Sequence, residues 1–154
     1  MKKIDSFFTM LATVGPIGYL PAPGTWGALV ALPLVYALFL LNLSYSSALQ
    51  CVVLVTVASL YVIKKALEHM NRADDPSEII LDEVVGCLIT FLGIPLHAPL
   101  LMLGFLLFRF FDITKCGIRS CELLFGAWGV LCDDVVAGII SNIILHAIVY
   151  YCAL

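Results

Sequence analysis

From Ser6 to Ile63 the chain carries no Asp, Glu, Lys, Arg or His. A chain of 154 residues cannot hide that much apolar surface in a water-soluble core. About a quarter of the residues of a soluble domain are charged, against 12% here. The fold class expected is therefore all-α: a multi-span membrane bundle whose backbone polar groups are satisfied inside each helix. The length suits a single domain covering 1–154. The net charge of −3 is uninformative because the charges are gathered in a few blocks, and no basic patch points to nucleic acid.

In chain order, Ile4 to Val14 is predicted as a short N-terminal helix. The glycines and prolines between Gly15 and Gly24 forbid regular structure, and Thr25 is the expected N-cap of a helix over 26–41 in which Pro33 is a potential kink. A turn at 42–46 leads to a second span over 48–63. A charged block over 64–83 follows, then two short apolar runs, 84–96 and 100–111, expected to tilt or to re-enter the bilayer as a pair. A second charged block reaches Asp134, and Val135 to Leu154 forms the last helix, roughly 30 Å long. That makes four to five apolar helices, two of them short or re-entrant. Taken as crossings or hairpin arms, these runs put Lys2, Lys3, Lys64, Lys65, Arg72, Arg109, Lys115 and Arg119 on one side, which the positive-inside rule makes cytoplasmic. The acids fall on that side too.

Two of the acid clusters share a design. Leu81-Asp82-Glu83-Val84-Val85-Gly86 and Cys132-Asp133-Asp134-Val135-Val136-Ala137-Gly138 each set adjacent carboxylates before an apolar run, with a small residue four positions after an acid. On a helix that spacing stacks the small residue one turn below the acid, and small residues let membrane helices approach closely. Either pair alone is explained as a helix cap. Packed together, Asp82, Glu83, Asp133 and Asp134 would repel one another unless a cation joined them, and a hard divalent ion with oxygen ligands, Mg2+ first, answers that need.

Other residues suit an anionic ligand. Asp112, Lys115 and Arg119 share one helical face beside Arg109, a cationic wall for a phosphate with Asp112 as a further ligand or orienter. The Gly24–Thr25 turn at a helix start offers backbone N–H groups. The six cysteines show no C-x-x-C spacing and His69, His97 and His146 are scattered, so neither type is assigned a role. There is no P-loop, no Cys-x5-Arg loop, no D-x-D-x-T and no G-x-S-x-G.

The motifs Pro21-Ala-Pro-Gly-Thr-Trp-Gly27, Leu81-Asp-Glu-Val-Val-Gly86, Phe108-Arg-Phe-Phe-Asp112 with Lys115, and Leu131-Cys-Asp-Asp-Val-Val-Ala-Gly138 resemble, in order, those of the phosphatidylglycerophosphatase A family. Departures lie in loops: Cys116-Gly117 where the family usually has prolines, Gly126-Ala127 for Gly-Gly, and Ala28 for a small polar residue. The resemblance implies a Mg2+-dependent integral membrane phosphatase of the bacterial inner membrane, and the one-sided placement of the charges puts its active face toward the cytoplasm. Its lipid substrate would be phosphatidylglycerophosphate, hydrolysed to phosphatidylglycerol. Asp82, Glu83, Asp133, Asp134 and Asp112 would then be catalytic, the first four also ligating the metal, with Gly24, Thr25, Arg109 and Lys115 on the substrate. The alternatives are a small ion-coupled transporter, disfavoured because each acid stands at the end of an apolar run, and a structural membrane subunit.

Overall fold

The computed structural model describes residues 7–71, 76–115 and 125–152, and among these it is helical without strands. The elements are α1 (Phe7–Ala12), a 3-10 turn (Ile17–Tyr19), α2 (Pro23–Leu40), α3 (Tyr45–Met70), α4 (Leu81–Thr90), α5 (Ala98–Thr114) and α6 (Ala127–Cys152). Three of them, α2, α3 and α6, are long and apolar enough to cross a membrane. The ten residues of α4 rise only about 15 Å, half a bilayer core. With α5 running back against it, α4 makes the helical pair expected from the sequence, but only α4 is short: α5 has 17 residues and outruns the apolar run over 100–111. Gly86 of α4 abuts Phe108 of α5, and Gly104 of α5 abuts Phe91 just past α4, so the two are antiparallel.

Several boundaries differ from expectation, each for a local reason. Thr25 is not a cap. Ala22 takes the N-cap in a left-handed conformation (φ 55°), Pro23 supplies its fixed φ at the first helical position, and Thr25 falls in the first turn. α3 is longer than 48–63. It starts at a true cap, where Ser44 Oγ accepts from the Ser47 amide at 3.3 Å, and continues through Lys64 and Lys65 to a left-handed Asn71.

The larger correction concerns α6. It begins at Ala127, so Asp133 and Asp134 lie inside the helix, not at its entry. The turn before them is apolar and has somewhere to pack: Ala127, Val130 and Leu131 are buried with Ala12, Ile63, Ala66, Leu67, Ile79 and Val85. That small core holds α1, the end of α3 and the starts of α4 and α6 together. The argument that each acid ends an apolar run therefore fails for Asp134, which is enclosed by helices at 3% exposure.

A second core, around Phe108, Phe91, Leu88, Leu145 and Ala31, fills the membrane part of the bundle. Through it α4 and α6 run parallel and in register. A Cβ on Gly138 would strike the Gly86 backbone, and one on Gly86 would come within 2.7 Å of the Asp134 carbonyl oxygen. Backbone-to-backbone contact of this kind is available only to glycine.

Candidate active site

The first turn of α4 and the second turn of α6 meet at the end of the bundle where α5 finishes. Asp82, Glu83 and Asp134 each present a carboxylate oxygen, all within 4.8 Å of one another. Buried carboxylates need compensating partners, yet Glu83 Oε2 and Asp134 Oδ1 are buried without a hydrogen bond. Outside the three spanning helices, Glu83 is pushed up to about 7, first by burial and then by the charge of Asp112, against the hydrogen bond from Asp82 and the charge of Arg109. A carboxylate made this hard to ionise, with two more acids beside it, fits a cation. The donors are hard oxygens from three acids, two of them with an unused oxygen in the cluster, which is the donor set Mg2+ takes.

Asp133 is not part of this triad. Its Oδ2 receives Lys115 Nζ at 2.6 Å, and its Oδ1 accepts the Asp134 amide at 3.1 Å. Helical geometry separates the neighbours: one residue turns the side chain by about 100°. Asp134 therefore faces α4 while Asp133 faces the end of α5. Lys115 reaches it from the α5 C-cap, where it adopts φ 49° and ends the helix. The fourth acid beside the triad is Asp112 of α5, near enough for its charge to act on Glu83. Asp112 is itself paired with Arg109 one turn earlier. Arg119 lies outside the described residues.

The first turn of α2 closes the site. A Cβ at Gly24 would collide with Glu83 Oε1 and sit 3.0 Å from Arg109 Nη1, so only glycine lets the helix start this close to both charges. The Thr25 amide is engaged by the Ala22 carbonyl at 3.0 Å, so of the expected Gly24–Thr25 pair it is Gly24 that meets the charged groups. Gly27, which ends the Pro21–Gly27 motif but is given no role from the sequence, packs one turn on: a Cβ there would lie 2.9 Å from the Ile80 carbonyl and 3.2 Å from Glu83 Cβ. Its i, i+3 spacing from Gly24 was the available signal. Arg109 Nε is buried without a hydrogen bond. An anion bound between Arg109 and the α2 start would meet a guanidinium and the positive end of the α2 helix dipole.

The histidines stay away from this cluster. His69 bonds the Lys65 carbonyl at 2.8 Å and His146 the Leu92 carbonyl at 3.1 Å, while His97 precedes α5 at the other end.

A profile of the family described as Phosphatidylglycerophosphatase A matches residues 10–149. The chain belongs to the phosphatidylglycerophosphatase A family. Among relatives, Phosphatidylglycerophosphatase A of Haemophilus influenzae is 37% identical over 134 residues, 85% of this chain and 81% of the relative. Its namesake from Escherichia coli is 32% identical over 150 residues, 95% of this chain and 86% of the relative. A Bacteroides thetaiotaomicron protein with the provisional name phosphatidylinositol-3-phosphatase is 39% identical over 154 residues, 94% of this chain and 95% of the relative. No solved structure matches. In family terms, the matched span contains every residue of the cluster just described, from Gly24 to Asp134.

Proposed function

We propose that the chain releases the terminal phosphate of phosphatidylglycerophosphate with Mg2+ held by Asp82, Glu83 and Asp134, at the cytoplasmic face of a bacterial inner membrane. The lipid phosphatase activity follows from family membership. The observation that carries the metal-assisted reading is the triad of carboxylate oxygens within 4.8 Å, built from two helices beside an arginine whose Nε is buried. Bound there, Mg2+ would supply Lewis-acid polarisation of a phosphoryl oxygen and favour a water nucleophile. The chain's own groups do the rest. Arg109 and the α2 start hold and orient the phosphate monoester, Lys115 adds charge from the α5 end, and Asp112 stands where it can steady Arg109 and take a proton from the attacking water. The bundle around Phe108 keeps hydrocarbon, not water, beneath the reacting phosphate.

A second substrate, phosphatidylinositol 3-phosphate, is favoured by the name of the Bacteroides thetaiotaomicron relative. Both lipids bring a phosphate monoester to headgroup depth. Phosphate release by detergent-solubilised protein, from each lipid, with Mg2+ or with EDTA, tests the proposal. Mg2+-dependent release from phosphatidylglycerophosphate is expected. Equal rates in EDTA would remove the metal, and faster release from the inositol lipid would reassign the substrate.

Two further results are expected. Arg109→Lys keeps the charge but loses the planar fork, and should lower kcat/KM by roughly 10- to 100-fold, mostly through KM. An unchanged KM would take Arg109 off the phosphate. For orientation, Asp134 to Cys152 covers about 27 Å of helix, close to a bilayer core. With the acids cytoplasmic, Cys152 should label with an impermeant thiol reagent from outside intact spheroplasts, and Cys132 should not. Protection of Cys152 from outside, with labelling from inverted vesicles, would reverse the topology.

A further inference from the structure

Besides Ser141, whose hydroxyl donates to the Ala137 carbonyl of its own helix, α6 carries two further polar side chains deep in its apolar run, Asn142 and His146. Neither serves the carboxylate cluster. Asn142 Nδ2 donates to the Thr90 carbonyl at 3.0 Å and to the Leu92 carbonyl at 2.9 Å, and His146 Nε2 meets the Leu92 carbonyl at 3.1 Å. These acceptors end α4. The last carbonyls of a helix have no intrahelical donor, and at this depth no water replaces one. Thr90 cannot help its own carbonyl, because its hydroxyl donates to the Gly86 carbonyl at 2.9 Å.

The placement is regular. Asn142 follows Thr90 by 52 positions, and the same offset relates Gly138 to Gly86 and Asp134 to Asp82. On each helix the three residues are spaced by four, so they form one stripe, and the stripes face each other in parallel. Acids meet at one end, glycines touch in the middle, and Asn142 grips the far end.

We infer that Asn142, assisted by His146, is a positioning residue that locks α4 in axial register on α6 and so sets the spacing of Asp82 and Glu83 against Asp134. This inference rests on the cation reading given above. Ten residues are too few for α4 to hold a helix by itself. The glycine contact permits close approach but has no side chain to resist sliding. A slip of one residue moves the acids by about 1.5 Å, and a misplacement of ~1 Å is already enough to cost such a site roughly 10²-fold. The directional hydrogen bonds of Asn142 oppose that slip and the rotation that goes with it.

The test compares wild type, Asn142→Leu, Asn142→Gln, His146→Phe and, as a control on α3, Thr56→Val, whose hydroxyl bonds only within its own helix at 2.8 Å. Two readouts besides activity are used in detergent: the Mg2+ concentration giving half of the Mg2+-induced rise in Tm, and hydrogen exchange of α4 amides without Mg2+. Asn142→Leu should raise the half-maximal Mg2+ about tenfold and speed α4 exchange selectively, with α3 unchanged. Asn142→Gln, which keeps both donors, should recover most of the Mg2+ response. His146→Phe, losing one of the donors to Leu92, should shift it a few-fold, and decides the matter if Asn142→Leu does not fold. Thr56→Val should leave the Mg2+ midpoint alone. An unchanged Mg2+ midpoint in a folded Asn142→Leu, or loosening spread evenly over all helices, would overturn the inference. If wild type shows no Mg2+ stabilisation, the cation reading falls, and selective α4 exchange then decides whether the register lock stands.

Discussion

Asp134→Asn is expected to cut phosphate release at saturating Mg2+ by on the order of 10³-fold while the protein still inserts and folds. The carboxylate is buried, belongs to the triad and has one oxygen with no protein partner, so its charge has no evident structural task. Asp82→Asn and Glu83→Gln should behave alike, and each should also raise the half-maximal Mg2+. Asp133→Asn should not. That substitution weakens the bond to Lys115, and its expected effect is a loss of about tenfold with the Mg2+ midpoint unmoved. The decisive comparison is a Mg2+ titration of Asp133→Asn beside Asp134→Asn. Equal shifts in midpoint would mean that both acids reach the cation and that the separation by helical rotation is wrong.

Gly138→Ala should also be damaging, although it adds only one methyl group, a helical turn away from Asp134. The new Cβ would run into the Gly86 backbone, and a backbone cannot rotate out of the way as a side chain can. The helices must part, and in a bilayer no hydrophobic force between helices pushes them together again. Displacing the acids by ~1 Å is expected to cost roughly 10²-fold in rate, and Gly138→Leu more. Ile143→Leu, at a side chain 63% exposed on the outer face of the same helix, should do nothing. Full activity with an unchanged Mg2+ midpoint in Gly138→Ala would show that α4 and α6 do not meet at these glycines.

Much of this was legible in the residues. The charge-free stretch and the apolar runs require helices in a membrane, and the acid pairs followed by small residues point to two helices packed closely enough to bring acids together. The short runs around Pro95 and Pro99 foretell a helical pair that need not span. Arg109 and Asp112 can be read as neighbours from their spacing alone, and the structure pairs them. The boundaries were harder. Periodicity cannot show that Ala127 to Cys132 continues the helix of Val135, because two aspartates look like an end until Lys115 and the facing acids are known.

What the sequence determined by itself was the kind of chemistry: hydrocarbon-soluble helices, carboxylates at one end of them, and basic side chains among the carboxylates. Which carboxylate does what was decided only by tertiary structure. Asp133 and Asp134 are chemically the same and adjacent in the chain, so no local rule separates them. The separation comes from the register of α4 on α6. Glycine meets glycine at the offset of 52 that Thr90 and Asn142 share, and Asp134 is thereby turned onto Asp82 and Glu83. The rotation of one residue, about 100°, sends Asp133 to Lys115 instead.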